Sequence, residues 1–220
     1  MLPAALAATK KQRTLIVPHY NGDQAALVDK EKHCSAESLL DVCADLCGQQ
    51  KLSLHQTPTA LTTPTSTRDL QDIIGQQQGK RALEIAAAGS HNLLFLGPPG
   101  TGKTMLASRL CDLLPEMSDE EAMDTASVAS LTQQDINEHN WRQRPFRAPH
   151  HSSSMAALVG GGSIPRPGEI SLAHNGLLFL DEMPEFERKV LDSLREPLES
   201  GEIIISRLKV KRAFPLAFNW

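Results

Sequence analysis

The sequence predicts an α/β protein whose larger part is a three-layer α/β/α domain on a mostly parallel sheet. An apolar run, Asn92 to Leu96, enters a glycine-rich loop closing on Gly102-Lys103-Thr104. A second run, Gly176 to Leu180, ends in two carboxylates, Asp181 and Glu182. Each is followed by residues with helical periodicity, Met105 to Leu114 and Phe186 to Leu198. Strands alternating with helices in this way indicate a parallel sheet covered by helices.

The first loop has the chemistry of a triphosphate cradle. Its candidate set is Gly97, Pro98, Pro99, Gly100, Thr101, Gly102, Lys103, Thr104 and Met105. Glycines let backbone N–H groups wrap an anion where a Cβ would block approach or forbid the backbone angles. Lys103 supplies a point charge toward the β and γ phosphates, Thr104 a hydroxyl for Mg²⁺, and the helix that starts here turns its positive end to the anion. The plain alternative is a Gly/Pro turn joining a core strand to a core helix.

Size and charge bound the rest. The 220 residues, 40% hydrophobic, suffice for one sizeable α/β domain and a smaller piece. A net charge of −4 gives no global attraction to nucleic acid or an anionic membrane, so such partners require local basic patches. Cys34, Cys43, Cys47 and Cys111 lack paired C-x-x-C spacing and read as reduced thiols of a cytoplasmic protein. The apolar opening Met1 to Ala8 is too short for a signal segment, and no run approaches transmembrane length, so no membrane partner is expected.

In chain order, Ala4 to Ala8 reads as a helix end, Thr14 to Pro18 as a short buried strand, and Ala36 to Leu46 as an amphipathic helix with Leu39, Leu40, Val42, Cys43 and Leu46 inward. Residues 1–52 are the end of a domain, because two helices and a strand bury little core. Residues 53–67, rich in Thr, Pro and Ser, form a linker, and residues 68–220 form the main domain. There Asp69 to Ala88 is a helical lead-in broken at Gly75-Gln76. Ser118 caps a further helix, and Thr125 to Leu131 is expected as a strand or strand edge.

Arg147 to Gly168 contains a small helix, three consecutive glycines and three prolines, so it is not one regular element. His150 and His151 without a carboxylate or cysteine at ligand spacing are a weak indication of metal. Leu177 to Leu180 is apolar throughout, as for a strand buried on both faces, and its carboxylates sit at the C-terminal end, where open α/β sheets bind ligands. Asp181 suits Mg²⁺ and Glu182 the positioning and deprotonation of an attacking water. An ordinary buried strand with an acidic helix cap is the alternative. Glu202 to Arg207 is a strand, and Leu208 to Phe214 a basic hairpin return.

These residues resemble the AAA+ ATPases and, within them, the magnesium-chelatase-like family that includes the ComM and YifB-type proteins. The resemblance rests on Asn92 to Thr104, Arg144 to Ser152, Pro167 to Gly176 and Leu178 to Glu182, the middle two being the more specific. It runs from about Arg68 to the C-terminus, and Leu2 to Gly48 is similar to the tail of a Lon-protease-like domain. It implies a P-loop NTPase core, ATP and Mg²⁺ as cofactors, and self-assembly into a hexameric ring. The ComM-like members are similar to helicases that move branched DNA during natural transformation. By the same resemblance the Ala148 to Pro167 loop faces the ring pore, making Arg147, His150, His151, Arg166, Lys209, Lys211 and Arg212 candidate contacts to single-stranded or branched DNA. Solvated loop charges are the alternative.

The family's ATPase continues into a further core strand ending in a sensor asparagine, then an arginine finger and a helical lid. Asn219 comes too early to be that asparagine and Trp220 falls inside the strand. The expectation is therefore a chain truncated at both ends with an incomplete sheet. Its hydrolysis alone is expected to be negligible, because arginine fingers supply on the order of 10³ to 10⁵ in rate. The leading functional reading is Mg²⁺-dependent ATP hydrolysis coupled to DNA remodelling, with Lys103 and Glu182 catalytic and Thr104 and Asp181 holding metal. A chelatase-type subunit acting on a protein or metal-insertion partner, and a non-catalytic remnant, are the alternatives.

Overall fold

The computed structural model describes residues 1–29, 32–55, 69–132, 140–161, 166–200, 202–205, 208–211 and 216–219, with side chains as far as residue 195. The chain divides into two compact units, Met1–Thr63 with Gln133–Trp141, and Pro64–Thr132 with Arg142–Trp220. Most of the expected linker, residues 56–67, lies outside the described residues.

The first unit contains α1 (Leu2–Lys10), β1 (Leu15–Pro18), α2 (Gly22–Ala26), β2 (His33–Ala36) and α3 (Leu39–Leu46). β1 and β2 pair in parallel from Leu15↔His33 to Pro18↔Ala36. The sequence does not announce β2, since His-Cys-Ser-Ala has neither alternation nor apolar character. Its core is small, with Ala5, Val17 and Ala25 buried against Leu15 and Val28. Ser38 and Asp41 form a reciprocal capping box that starts α3. The inward face expected for this helix is corrected: Leu39, Leu40 and Leu46 are 77%, 79% and 77% exposed. Cys43 is exposed too, and Val42 is half-buried. Periodicity identifies an apolar face but not whether another element covers it.

The second unit opens with α4 (Gln77–Gly89), begun where Gly75 and Gln76 both take left-handed backbone angles. Then come β3 (Leu93–Phe95), α5 (Lys103–Leu113) and α6 (Asp119–Ser130). The strand expected at Thr125 to Leu131 is corrected, because residues 125–130 continue α6. A Ser118–Glu121 capping box starts that helix, and Ser127 Oγ folds back to donate to the Met123 carbonyl at 2.8 Å. Local capping thus outweighs the β-preference of Thr125 and Val128.

β4 (Phe146–Arg147) leads to α7 (Met155–Val159), β5 (Gly160–Gly161), β6 (Arg166–Pro167) and α8 (Glu169–Leu172). The short strands β5 and β6 are antiparallel. β7 (Leu177–Leu180) and α9 (Arg188–Ser200) follow, then an antiparallel hairpin of β8 (Glu202–Ile205) and β9 (Leu208–Lys211), and finally β10 (Leu216–Asn219).

The main sheet runs β3-β10-β7-β4 with every neighbour parallel. The expectation of a sheet short of central material is corrected in this respect. β10 occupies the place between β3 and β7, with Phe218 opposite both Leu94 and Leu180. Four residues suffice there, because its neighbours are themselves only three and four residues long.

β7 is buried along its whole length and its side chains alternate between two cores. Leu177 and Phe179 pack with Leu83, Ala86, Ala87, Leu106, Ala107 and Leu110 of α4 and α5. Leu178 and Leu180 pack with Leu158, Ile170, Phe186, Val190 and Leu194 on the other face. Helices therefore cover both faces, giving the three-layer α/β/α core. Each large side chain of β7 contributes about 1.5–3 kcal/mol by leaving water. Cys111 belongs to this interior, and burial, aided by Asp112, pushes its thiol up to about 11, which keeps it from acting as a nucleophile near neutral pH.

β7 enters this core through a tight approach. Gly176 lies against the segment before β4, where the Leu177 N–H donates to the Pro145 carbonyl at 2.8 Å. A Cβ on Gly176 would overlap that carbonyl oxygen and sit 2.6 Å from the Pro145 ring. Gly176→Ala is expected to lower stability by about 1–3 kcal/mol through backbone overpacking. Urea unfolding checks this, and an unchanged midpoint would contradict it.

Candidate functional site

The C-terminal ends of β3 and β7 point the same way, with β10 between them. The loop from Gly97 to Gly102 leaves β3 and turns into α5, while Asp181 and Glu182 leave β7. Gly100 and Gly102 have φ of +78° and +82°, angles that a side chain disfavours, and they turn the loop into the helix. The Leu106 N–H donates to the Gly102 carbonyl at 2.9 Å, so the first turn of α5 is formed.

The ammonium of Lys103 reaches back over this loop. It donates to the carbonyls of Gly97 and Pro98 at 3.0 and 2.9 Å. Thr101 Oγ1 donates to the Pro98 carbonyl at 3.0 Å, and Gln76 Nε2 to the Thr101 carbonyl at 3.2 Å. The positive charge is therefore held in the loop's concavity by weak acceptors that an anionic oxygen can replace. Gln76 is a member of this set that sequence reasoning missed, since it precedes the loop by some twenty residues and belongs to no pattern around it.

Thr104 Oγ1 donates to Asp181 Oδ2 at 3.0 Å across 77 positions of sequence. Asp181 also accepts the Glu182 N–H, at 3.0 Å. A hydroxyl and a carboxylate side by side, next to a phosphate cradle, suit Mg²⁺, which takes few protein ligands and completes its shell with water and substrate phosphates. No group of three or more His, Cys, Asp or Glu side chains that could hold a metal ion occurs among the described residues. Glu182 is 67% exposed in its side chain, with a left-handed backbone at φ 52°. For a residue with a Cβ such a conformation is strained, a condition that recurs at functional positions.

The candidate phosphate contacts separate. Arg147 grips Glu169 with both arms, Nε to Oε2 at 2.6 Å and a terminal nitrogen to Oε1 at 2.7 Å. This hydrogen bond raises the guanidinium above its usual range. Arg144 likewise turns inward, donating to the carbonyls of Pro115 and Asn175, both at 2.6 Å. His150 is exposed and accepts from the Ser152 N–H at 3.2 Å. His151 is half-buried, with Nδ1 3.5 Å from Glu182 Oε2. Arg166 is exposed. Lys209 and Lys211 lie on β9 opposite Ile204 and Glu202, and Arg212 is outside the described residues.

Residues 69–220 match the family described as "Magnesium chelatase, subunit ChlI". The chain is 64% identical over 223 residues to the competence protein ComM of Haemophilus influenzae, an alignment covering all of this chain and 44% of that protein. It is 54% identical over 218 residues to the uncharacterized protein YifB of Escherichia coli K12, covering 99% of this chain and 43% of YifB. The chain thus spans less than half the length of these relatives. Among solved structures it is similar to a complex of subunits BchI and BchD of magnesium chelatase, with TM-score 0.51 and 25% identity over 67% of this chain and 52% of that one. The match over residues 69–220 and the identities to ComM and YifB show that the chain belongs to the magnesium chelatase ChlI family of AAA+ proteins, in its ComM and YifB-type branch.

Proposed function

We propose that this chain carries the nucleotide site of an AAA+ motor that couples Mg²⁺-dependent ATP hydrolysis to remodelling or branch migration of DNA in natural transformation. The observation that carries this reading is the meeting of the Lys103 loop with the Thr104–Asp181 pair at one end of the sheet. The relative named for competence supplies the biological direction. Residues 1–52 would be the end of a Lon-protease-like domain, 53–67 a linker and 68–220 the motor core. Its working form would be a cytoplasmic hexameric ring. No described helix is long and apolar enough to cross a membrane.

In this reading the loop amides and Lys103 bind the triphosphate, and Lys103 exchanges the Gly97 and Pro98 carbonyls for β and γ oxygens. Thr104 and Asp181 hold Mg²⁺, which, when bound, neutralises charge on the β and γ phosphates. Glu182 would orient the attacking water and accept its proton as the bond to the γ phosphorus forms and the bond from that phosphorus to the β–γ bridging oxygen breaks, with ADP as the leaving group.

His150, Arg166 and the β8–β9 hairpin are the parts we assign to DNA, with the charge of Arg147 already matched by Glu169. A second reading, a chelatase-type subunit that acts on a protein partner, draws on the likeness to a chelatase complex.

Lys103→Ala is expected to weaken binding of a fluorescent ATP analogue about tenfold or more, the worth of a charged hydrogen bond to phosphate. Glu182→Gln, which leaves the loop and its lysine untouched, is expected to keep that binding. Equal affinity in Lys103→Ala would overturn the reading.

For the DNA assignment, affinity for a four-way junction oligonucleotide should fall steeply with salt. Arg166→Ala should reduce the slope of log affinity against log salt by about one unit. Salt-independent binding, or none, would favour the protein-partner reading.

A further inference from the structure

A group of side chains with connected acid–base chemistry lies wholly within the first unit, away in sequence from the phosphate loop. Asp23 of α2, Ser35 of β2 and His55 meet there. His55 Nε2 lies 2.7 Å from Asp23 Oδ1, and His55 Nδ1 lies 3.0 Å from Ser35 Oγ. An ionised carboxylate can only accept, so the bond to Asp23 places the imidazole proton on Nε2. Nδ1 then keeps its lone pair toward the Ser35 hydroxyl, which donates to it. This is the tautomer a general base needs, and the carboxylate selects it.

The imidazole is held by what surrounds it. Its side chain is 10% exposed, and a Cβ on Gly22 would overlap the ring, so the ring sits directly against the bare Cα of Gly22. His19 stands edge-on to it at 5.6 Å. The His55 N–H donates to the His33 carbonyl at 3.3 Å, and Leu54 bridges antiparallel to Cys34, which fixes the backbone of His55 along β2. The register of β2 on β1 sets Ser35 opposite Val17. Asp23, by contrast, is 70% exposed and Ser35 is half-buried, so the group opens to solvent. The adjacent Cys34 thiol is a poor competitor as nucleophile, because burial and then the charge of Asp45 push it up from its ordinary value.

We propose that Ser35, His55 and Asp23 form a second reactive site, in which Ser35 accepts the acyl group of small activated esters and thioesters. Ser35 Oγ adds to the carbonyl carbon as its proton passes to His55 Nδ1. The bond from that carbon to the leaving oxygen or sulfur breaks, and the leaving group takes the proton from His55. Water repeats the exchange on the acyl-serine, releasing the carboxylic acid and restoring the hydroxyl. Asp23 stabilises the imidazolium formed in between. A site this open makes few contacts to the rest of a substrate, so it favours compounds whose leaving group needs little more than a proton. It shares no residue with the nucleotide site and is independent of it.

Covalent labelling of the full chain tests the assignment. A fluorophosphonate probe, with the labelled peptides located by mass spectrometry, should modify Ser35 about a hundredfold or more faster than exposed serines without a base beside them, the usual worth of general-base assistance. Asp23→Asn, which keeps the side chain's size and removes the carboxylate that sets the tautomer, should slow labelling of Ser35 about tenfold or more. With p-nitrophenyl acetate, the wild-type chain should release p-nitrophenolate and carry acetyl on Ser35, and Ser35→Ala should lose that release while keeping the wild-type thermal unfolding midpoint. Labelling of wild-type Ser35 no faster than of other exposed serines would overturn the proposal and leave the three side chains as a fastening between α2 and β2. Labelling of Ser35 at full rate in Asp23→Asn would overturn it equally.

Discussion

The hydrogen bond from Thr104 to Asp181, 3.0 Å long, joins two stretches that lie 77 positions apart in the sequence. It exists because β3 and β7 run parallel in one sheet and deliver their C-terminal ends to the same edge. Strands in a sheet lie about 4.8 Å apart, so with β10 between them the two ends are separated by about 10 Å, which side chains from a loop and a helix can span. The helix dipole of α5, the Lys103 ammonium and the Asp181 carboxylate then face a common space with opposite signs on its two sides. An anion and a divalent cation taken together satisfy both sides, whereas either alone leaves one unmatched.

The residues of the Arg144–Ser152 and Pro167–Gly176 stretches mostly brace the frame. Arg144 reaches the Asn175 and Pro115 carbonyls, and Arg147 locks onto Glu169. Asn175, in a left-handed turn at φ 57°, donates to the Glu121 carbonyl at 3.1 Å and to Thr125 Oγ1 at 3.2 Å. Gly168 and Gly176 each admit a neighbouring backbone so closely that a Cβ would overlap it. These contacts fix how β4 lies beside β7 and therefore where the segment after β4 emerges. A motif that looks like a ligand-binding string is, in large part, a clamp that aims His150 and His151.

What was legible followed from chemistry that leaves a local trace. Leu177 to Leu180 is apolar throughout, and the strand it forms is buried on both faces. Gly100 and Gly102 take the positive φ that favours glycine, and Lys103 folds back onto the loop that precedes it. Illegible features depended on what lies opposite. β2 is a strand because β1 offers it an edge, not because His-Cys-Ser-Ala favours extension. Residues 125–130 are helical because a capping box seven positions earlier started a helix that carries through them. The leucines of α3 had the right spacing and no cover. The meeting of His151 with Glu182 has no sequence trace at all, because it is set by the register of β4 on β7.

The two sides of the site now differ in readiness. Thr104 and Asp181 are already in contact, whereas Lys103 is bonded to the carbonyls of its own loop and, in the proposed function, would exchange them for phosphate. The most direct measurement is therefore a crystal structure of the chain with Mg²⁺ and a non-hydrolysable ATP analogue. The account predicts Lys103 Nζ on the β and γ oxygens, the Gly97 and Pro98 carbonyls released, and one Mg²⁺ shared by Thr104 and Asp181. A nucleotide bound elsewhere, with Lys103 still on its two carbonyls and no metal between Thr104 and Asp181, would contradict it.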